Sequence, residues 1–149
     1  MKRGVLFICI GNSCRSIMAE ALARHYWDDL VEAFSAGIYP LGHITPYTLQ
    51  ALSERAISTA GLLSKGFSDI PFDRIQLIVC LTGDSFEHLI PRSFSGEIIR
   101  WHVQDPYGQV LSVFRETLET TEWLIRTKLP GWLDLDLTLS KVPDPAGSR

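Results

Sequence analysis

The stretch that decides the fold is Phe7-Ile8-Cys9-Ile10-Gly11-Asn12-Ser13-Cys14-Arg15-Ser16, in which an apolar segment gives way to a helical pattern. Cys9 lies at the end of the apolar segment, and Arg15 opens the helix six positions later. Between them, Gly11 and Asn12 are the residue types that most readily adopt positive φ. Such a turn directs successive backbone N–H groups to one point, where the helix N-terminus adds positive potential. The stretch therefore predicts an oxyanion-binding turn between a buried strand and a helix.

The side chains of Cys9 and Arg15 suit that anion. The guanidinium of Arg15 presents N–H groups that match two oxygens of a phosphate. A helix N-terminus and a nearby cation favour the thiolate form of a cysteine, so Cys9 is predicted to be a nucleophile. Ser16 is placed to donate its hydroxyl into the same turn. Alternatively, Cys9 is an ordinary buried strand residue and Arg15 is a solvated residue at a helix start, but this gives no reason for Gly11 and Asn12.

The composition is typical of a globular protein with one domain. The chain has 149 residues, of which 46% are hydrophobic and 21% are charged. The net charge of −3 and the pI near 5.8 argue against nucleic acid or an anionic membrane as the main partner. The apolar run after Lys2-Arg3 is too short for a membrane span and lacks the cleavage site of a signal peptide. We therefore expect a cytoplasmic protein.

Strand and helix patterns alternate along the chain, which predicts the α/β class. Strands are predicted at 4–10, 32–38, 75–81 and 97–103, and helices at 15–30, 45–56, 84–88 and 109–129. Ala56 is expected to face inward, and Pro130-Gly131 is expected to end the last helix. The order predicts a single three-layer domain with a central four-stranded parallel sheet and helices on both faces. In such sheets ligands bind beyond the carboxyl ends of the strands, where the Cys9 turn falls.

The run from Cys9 to Glu20 closely resembles the signature of the low-molecular-weight protein tyrosine phosphatases, which the arsenate reductases of the same fold share. Other segments resemble parts of this family in the same order along the chain, namely Phe34-Ser35-Ala36-Gly37, Ser64-Lys65 and Asp105-Pro106-Tyr107. The resemblance extends from about residue 4 to about residue 128. Residues 1–130 are therefore interpreted as a low-molecular-weight phosphatase-like domain, and residues 131–149 as a C-terminal extension.

The resemblance implies a phosphomonoester hydrolase of the protein tyrosine phosphatase type that acts through a phosphocysteine. Cys9 would be the nucleophile, Arg15 would hold the phosphoryl oxygens, and Asp105 would protonate the leaving group. Without the resemblance, Asp105-Pro106 is equally well an ordinary turn. The predicted substrate-binding residues are Ile10, Gly11, Asn12, Ser13, Cys14, Ser16 and Tyr107. The implied substrate is a phosphotyrosine protein or a small aryl phosphate, and the reaction requires no metal or other cofactor.

Residues around the turn are predicted to support it or to shape its opening. By the resemblance, Asn12 and Ser35 hold the turn rigid through side-chain hydrogen bonds. Many members of the family carry a histidine and an arginine where this chain has Leu62-Leu63, so part of the supporting network is expected to be missing. Tyr107 is predicted either to form an aromatic wall for a phenyl ring or to pack on the loop surface. Tyr39 lies in a loop where relatives place a specificity residue.

Arsenate reduction is the main alternative, because arsenate mimics phosphate. A thioredoxin-coupled reductase needs two resolving cysteines, and the corresponding positions here hold Thr82 and Leu89. Cys80 is displaced and is expected to be buried at a strand end. Ser13 resembles the reductase branch, whereas Tyr107 resembles the phosphatase branch. Hydrolysis is favoured because it needs no second thiol; a reductase would require thioredoxin or glutaredoxin as a partner.

A third possibility is a phosphate-binding or redox-sensing module in which Cys9 and Cys14 form a reversible disulfide. In the extension, the alternation over 132–137 predicts an extra edge strand or an interface element, which fits a monomer or a weak dimer. The aspartates of that segment are expected to face solvent, and no metal site is assigned. The segment 143–149 is expected to be disordered.

Overall fold

Four parallel strands form the centre of the structure, a computed structural model in which residues 2–139 are described. The strands are β1 (Arg3–Cys9), β2 (Val31–Gly37), β3 (Leu77–Cys80) and β4 (Glu97–Arg100), and their order in the sheet is β2-β1-β3-β4. The register pairs Cys9 with Gly37 and Ile8 with Cys80, so the carboxyl ends of three strands meet at one edge. The predicted α/β class with a four-stranded parallel sheet is confirmed.

Two hydrophobic clusters cover the two faces of the sheet. The α-helices are α1 (Arg15–Trp27), α2 (Pro46–Glu54), α3 (Leu111–Thr127) and α4 (Leu129–Leu133). Their buried side chains pack on one face together with Val5 and Phe7. Leu6 and Ile8 point to the opposite face, as alternation along a strand requires. That face is covered by loops and by the short 3₁₀ turns Phe72–Arg74 and Glu87–Leu89, so the helical cover predicted for it is reduced to single turns. None of the helices within residues 2–139 is long and apolar enough to cross a membrane.

Helix α1 is enclosed on nearly all sides because it lies between the sheet and the other helices. Every side chain from Arg15 to Ala23 is buried, rather than one stripe of the helix. The helix ends at Trp27 instead of continuing to residue 30, since the Leu30 N–H donates to the Trp27 carbonyl in a turn. The indole of the buried Trp27 donates to the carbonyl of Ile125 on α3 at 2.8 Å. This bond fixes α1 against α3.

The predicted edge strand over 132–137 is wrong. Pro130 occupies the first turn of α4, where its missing N–H is no loss, so the chain re-enters a helix instead of stopping. Asp134 then ends α4 in the left-handed conformation, with φ of 53°. Leu133 is buried in the core while Trp132 stays partly exposed, so the alternation comes from a short helix and its cap. The predicted disorder over 143–149 lies outside the described residues.

Smaller differences concern the ends of elements. Ala56 is exposed at a positive φ of 56° just after α2, and not on its inward face. The helix predicted over 84–88 is a 3₁₀ turn at Glu87–Leu89. The strand predicted over 97–103 ends at Arg100, because beyond it only the Trp101 N–H bonds to the neighbouring strand, at Cys80. None of these differences moves the carboxyl edge of the sheet.

Replacement of Trp27 by phenylalanine should destabilise the fold by about 1–3 kcal/mol, because it leaves the Ile125 carbonyl buried without its donor. Urea denaturation followed by far-UV circular dichroism measures this change in the free energy of unfolding. Trp123→Phe, at an exposed position of α3, is the matched control and should change stability by less than about 0.5 kcal/mol. Equal effects of the two substitutions would contradict this account of the α1–α3 contact.

Candidate active site

The turn between β1 and α1, residues 9–15, forms a cradle at the carboxyl edge of the sheet. Its carbonyl groups are bound by the segment that follows β2. The amides of Ile38, Tyr39, Leu41 and Thr45 donate to the carbonyls of Cys9, Ile10, Gly11 and Ser13 at 3.0, 2.8, 3.0 and 3.3 Å. Because N–H and C=O groups point in opposite directions across a trans peptide, the next N–H groups are directed into the cradle. Within residues 2–139, the amides of residues 11–14 donate to no protein acceptor.

Asn12 holds the cradle in shape. It adopts a positive φ of 48°, which asparagine tolerates better than most residues. Its side-chain oxygen accepts from the Lys65 amide at 2.8 Å, and its side-chain nitrogen donates to Ser16 Oγ at 2.7 Å. Ser16 Oγ lies 2.9 Å from Cys9 Sγ. Since Asn12 already donates to the hydroxyl oxygen, the hydroxyl proton is available to Cys9 Sγ.

Arg15 is buried and is held at one end of its guanidinium. Nη1 donates to the carbonyls of Leu81 and Val103 at 2.7 and 3.2 Å. Nη2 lies 3.5 Å from Asp105 Oδ2. The two carbonyls therefore fix the plane of the guanidinium, and Nη2 faces the cavity.

Asp105 stands opposite the cradle, in the loop after β4. Its side chain is 45% exposed, and its Oδ1 accepts from the Tyr107 amide at 3.1 Å. The sequence places Cys9 and Asp105 almost a hundred residues apart, and the fold brings both to one cavity. The ion pair with Arg15 joins the two parts.

The cavity above the cradle has a volume of about 240 Å³. It is lined by all the predicted site residues except Asn12 and Ser16, which lie behind the turn. Two further side chains, Tyr39 and Leu41, complete the lining. Leu41 was not predicted from the sequence; the only signal was its place in an apolar loop between Pro40 and Gly42. Tyr39 and Tyr107 are 74% and 54% exposed, so both rings stand at the mouth.

The three cysteines occupy different environments, and none of them is in a disulfide. Burial raises the pKa of the Cys14 thiol, although hydrogen bonds from Thr45 and Ser13 oppose the shift. Burial likewise raises the pKa of the Cys80 thiol, which donates to the Thr82 carbonyl at 3.2 Å. Cys80 packs with Ile8 on the other face of the sheet. Cys9 and Cys14 both line the cavity with Arg15 and Asp105, whereas Cys80 does not.

The geometry defines a class of site: a cysteine and an arginine on one turn with inward-directed amides in an α/β domain, with a carboxyl group across the cavity. Residues 4–135 match the family described as low molecular weight phosphotyrosine protein phosphatase. The chain therefore belongs to this family.

The similar proteins include sequence relatives named arsenate reductase and a solved structure described as an arginine phosphatase. Arsenate reductase 1 of Bacillus cereus is 33% identical over 114 residues, which are 76% of this chain and 84% of the relative. A mutant of YwlE from Bacillus subtilis has a similar structure, with a TM-score of 0.74 at 25% identity, covering 84% of this chain and 95% of that one. A structure described as an arsenate reductase in the phosphate binding state has a TM-score of 0.71 at 25% identity, covering 83% and 93%.

The Gly37→Ala substitution should disrupt the cradle, because a Cβ at this position would lie 2.8 Å from the Asn12 nitrogen and from the Ile10 carbonyl oxygen. Both are backbone atoms of the cradle, so neither can move away from the added Cβ without displacing the turn. We expect at least about tenfold weaker binding of inorganic phosphate, or about 1.4 kcal/mol, by isothermal titration calorimetry. Gly83→Ala is the control, since a Cβ there meets nothing within 4 Å. Unchanged phosphate affinity in Gly37→Ala would show that the turn is not the anion site.

Proposed function

We propose that the chain hydrolyses phosphate monoesters, and aryl esters such as phosphotyrosine above all, through a phosphocysteine intermediate. The observation that carries the proposal is the convergence of Cys9, Arg15 and Asp105 on one cavity with an aromatic mouth. A thiolate, a bidentate cation and an acid are the groups that this displacement needs. The substrate would be a phosphotyrosine protein or a small aryl phosphate.

In the first step the Cys9 thiolate attacks phosphorus in line with the ester oxygen. The S–P bond forms as the P–O bond breaks, and the protonated carboxyl of Asp105 gives its proton to the leaving phenoxide. Arg15 and the inward amides of the cradle stabilise the equatorial oxygens. A phosphoryl group at Nη2 would replace Asp105 as the partner of Arg15 there, which frees the carboxyl to face the leaving group.

In the second step water attacks the phosphocysteine. The Asp105 carboxylate takes a proton from the water, a P–O bond forms, and the S–P bond breaks to regenerate the Cys9 thiolate. The Ser16 hydroxyl, whose oxygen lies 2.9 Å from Cys9 Sγ, donates a hydrogen bond to the leaving sulfur in this step. The cycle needs only water and the residues of the cavity.

Arsenate reduction is the second candidate, favoured by the names of the relatives that are 33% identical. It requires a second thiol to attack the Cys9 sulfur of the arsenate adduct, so that an S–S bond forms as the S–As bond breaks and arsenic(V) leaves as arsenic(III). Cys80 is buried on the opposite face, where Arg100 Nη1 donates both to its sulfur at 3.2 Å and to the Thr82 carbonyl at 2.6 Å. These bonds hold the β3 end and the loop after it together. The second thiol would therefore be Cys14, which lines the cavity but is buried, or a thiol of thioredoxin or glutaredoxin.

Para-nitrophenyl phosphate tests the hydrolase. Cys9→Ser should abolish turnover, and Asp105→Asn should lower kcat by about 10²–10⁴, the usual contribution of general acid–base catalysis. Asp73→Asn, on an exposed turn at the amino end of β3, is the control and should keep the wild-type rate. Phosphotyrosine and phosphoarginine peptides are compared in parallel, because one structural neighbour is described as an arginine phosphatase. Wild-type turnover by either active-site variant would refute the mechanism.

The same preparations are assayed with arsenate plus thioredoxin or glutaredoxin. Activity in this assay alone would establish the reductase in place of the phosphatase. Activity in neither assay would favour the phosphate-binding or redox-sensing module, whose Cys9–Cys14 disulfide would appear by mass spectrometry after peroxide treatment and disappear with dithiol.

The aromatic mouth should govern the choice between aryl and alkyl esters. Tyr107→Ala and Tyr39→Ala should each raise KM for an aryl phosphate about two- to tenfold, the effect of losing one ring–ring contact. KM for an alkyl phosphate should change little. Trp123→Ala, an exposed aromatic outside the cavity, is the control. Equal effects on the aryl and alkyl esters would show that the rings do not contact the leaving group.

A further inference from the structure

A buried carboxylate lies behind the cradle, where its charge opposes the chemistry. Glu20 is four residues after Ser16, so both lie on the same face of α1, about one turn apart. Ser16 contacts Cys9, and the Glu20 side chain is only 2% exposed. A negative charge at this place disfavours both a thiolate at Cys9 and a bound phosphate dianion. The site therefore needs a compensating cation.

The side-chain ammonium of Lys65 is one such cation. Its ammonium group donates to Ser35 Oγ at 3.2 Å and to the Leu63 carbonyl at 2.9 Å, and it lies 3.6 Å from Glu20 Oε1. Ser35 Oγ in turn donates to Glu20 Oε1 at 2.5 Å. Arg24 also pairs with Glu20, from a side chain that is 41% exposed and so better screened by water. Lys65 is the more enclosed of the two cations, at 29% exposure.

The backbone around Lys65 is part of the cradle's support. The Lys65 amide donates to Asn12 Oδ1 at 2.8 Å, and its carbonyl accepts from the Gly37 amide at 2.8 Å. The neighbouring Ser64 Oγ donates to the Gly11 carbonyl at 3.1 Å. The segment that carries the Lys65 ammonium thus also fixes Gly11 and Asn12 at the centre of the cradle.

These contacts are what the loop contributes to the cradle, since the histidine-arginine pair of many family members is missing here. Leu62 is buried in the core and Leu63 is exposed, so neither side chain contributes a polar group to the cradle. Lys65, from the next turn of the same loop, reaches Ser35 and Glu20 instead.

We propose that Lys65 is a positioning residue of this site, whose partly enclosed charge, together with that of Arg24, offsets Glu20 and thereby keeps Cys9 in its thiolate form while its backbone fixes Asn12. The proposal rests on the proposed function for its effect on turnover. Its effect on Cys9 is independent of turnover, because a thiolate reacts with an alkylating reagent whether or not the protein is a hydrolase.

The experiment compares Lys65→Met and Lys65→Gln with Lys65→Arg. Both uncharged variants should lower kcat for para-nitrophenyl phosphate about tenfold, which corresponds to about 1.4 kcal/mol. The pH at which alkylation of Cys9 by iodoacetamide is half-maximal should rise by about one unit. Lys65→Arg keeps the charge and should retain most of the activity and the wild-type alkylation profile. Mass spectrometry assigns the modified cysteine, and thermal melts establish that each variant is folded.

Leu63→Ala is the control for a general loosening of the loop, because this exposed side chain is adjacent to the network without joining it. It should leave kcat and the alkylation profile unchanged. Lys65→Gln keeps a hydrogen-bond donor without the charge, so a wild-type profile in this variant would overturn the proposal even if Lys65→Met fails to fold. A lower kcat with an unshifted profile would also overturn it, since it indicates a structural role only. If the wild type hydrolyses no phosphate ester, the proposed function fails while the alkylation shift still decides the role of Lys65.

Discussion

The orientation of a few peptide groups decides whether the turn after β1 can bind an anion. A turn of this length has as many carbonyls as amides, and it attracts an anion only when the carbonyls face away from it. Here the segment after β2 binds the carbonyls one after another, and Asn12 takes the positive φ that lets the chain close. The close contact of Gly37 with the backbone of Asn12 and Ile10 is a consequence of the same arrangement. The sheet therefore supports the cradle through β2 as well as through β1.

The parts of the site that lie close together along the chain could be predicted from the sequence, because the same residues determine the local conformation and carry the reactive groups. The run from Cys9 to Ser16 contains the strand end, the turn and the helix start together. Asp105 could be assigned only through family resemblance, since an Asp-Pro pair is also an ordinary turn. Leu41 has no signal beyond its place in an apolar loop, and Glu20 has none beyond its place at the end of the signature-like run. Their roles arise from packing between segments that are distant in sequence.

The incorrect predictions have a related cause. Alternation over 132–137 alone predicts a strand. In the structure Leu133 packs in the core just beyond α3, and Pro130 is compatible with the first turn of a new helix. Tertiary packing overrides the local pattern there. At Leu62-Leu63 no polar side chain reaches the cradle, as expected, while the Lys65 ammonium of the same loop contacts both Ser35 and Glu20.

Phosphatase and reductase share the first half of their chemistry, so the cradle alone does not distinguish them. They differ in what removes the group from Cys9. Water can enter the cavity from solvent. A thiol of the protein can attack the adduct only if its side chain reaches Cys9. Cys80 lies on the far face of the sheet, and Arg100 binds both its sulfur and the loop that follows. Burial further raises the pKa of this thiol, which makes it a poor nucleophile. The constraint on the second step, rather than the affinity of the first, is what favours hydrolysis.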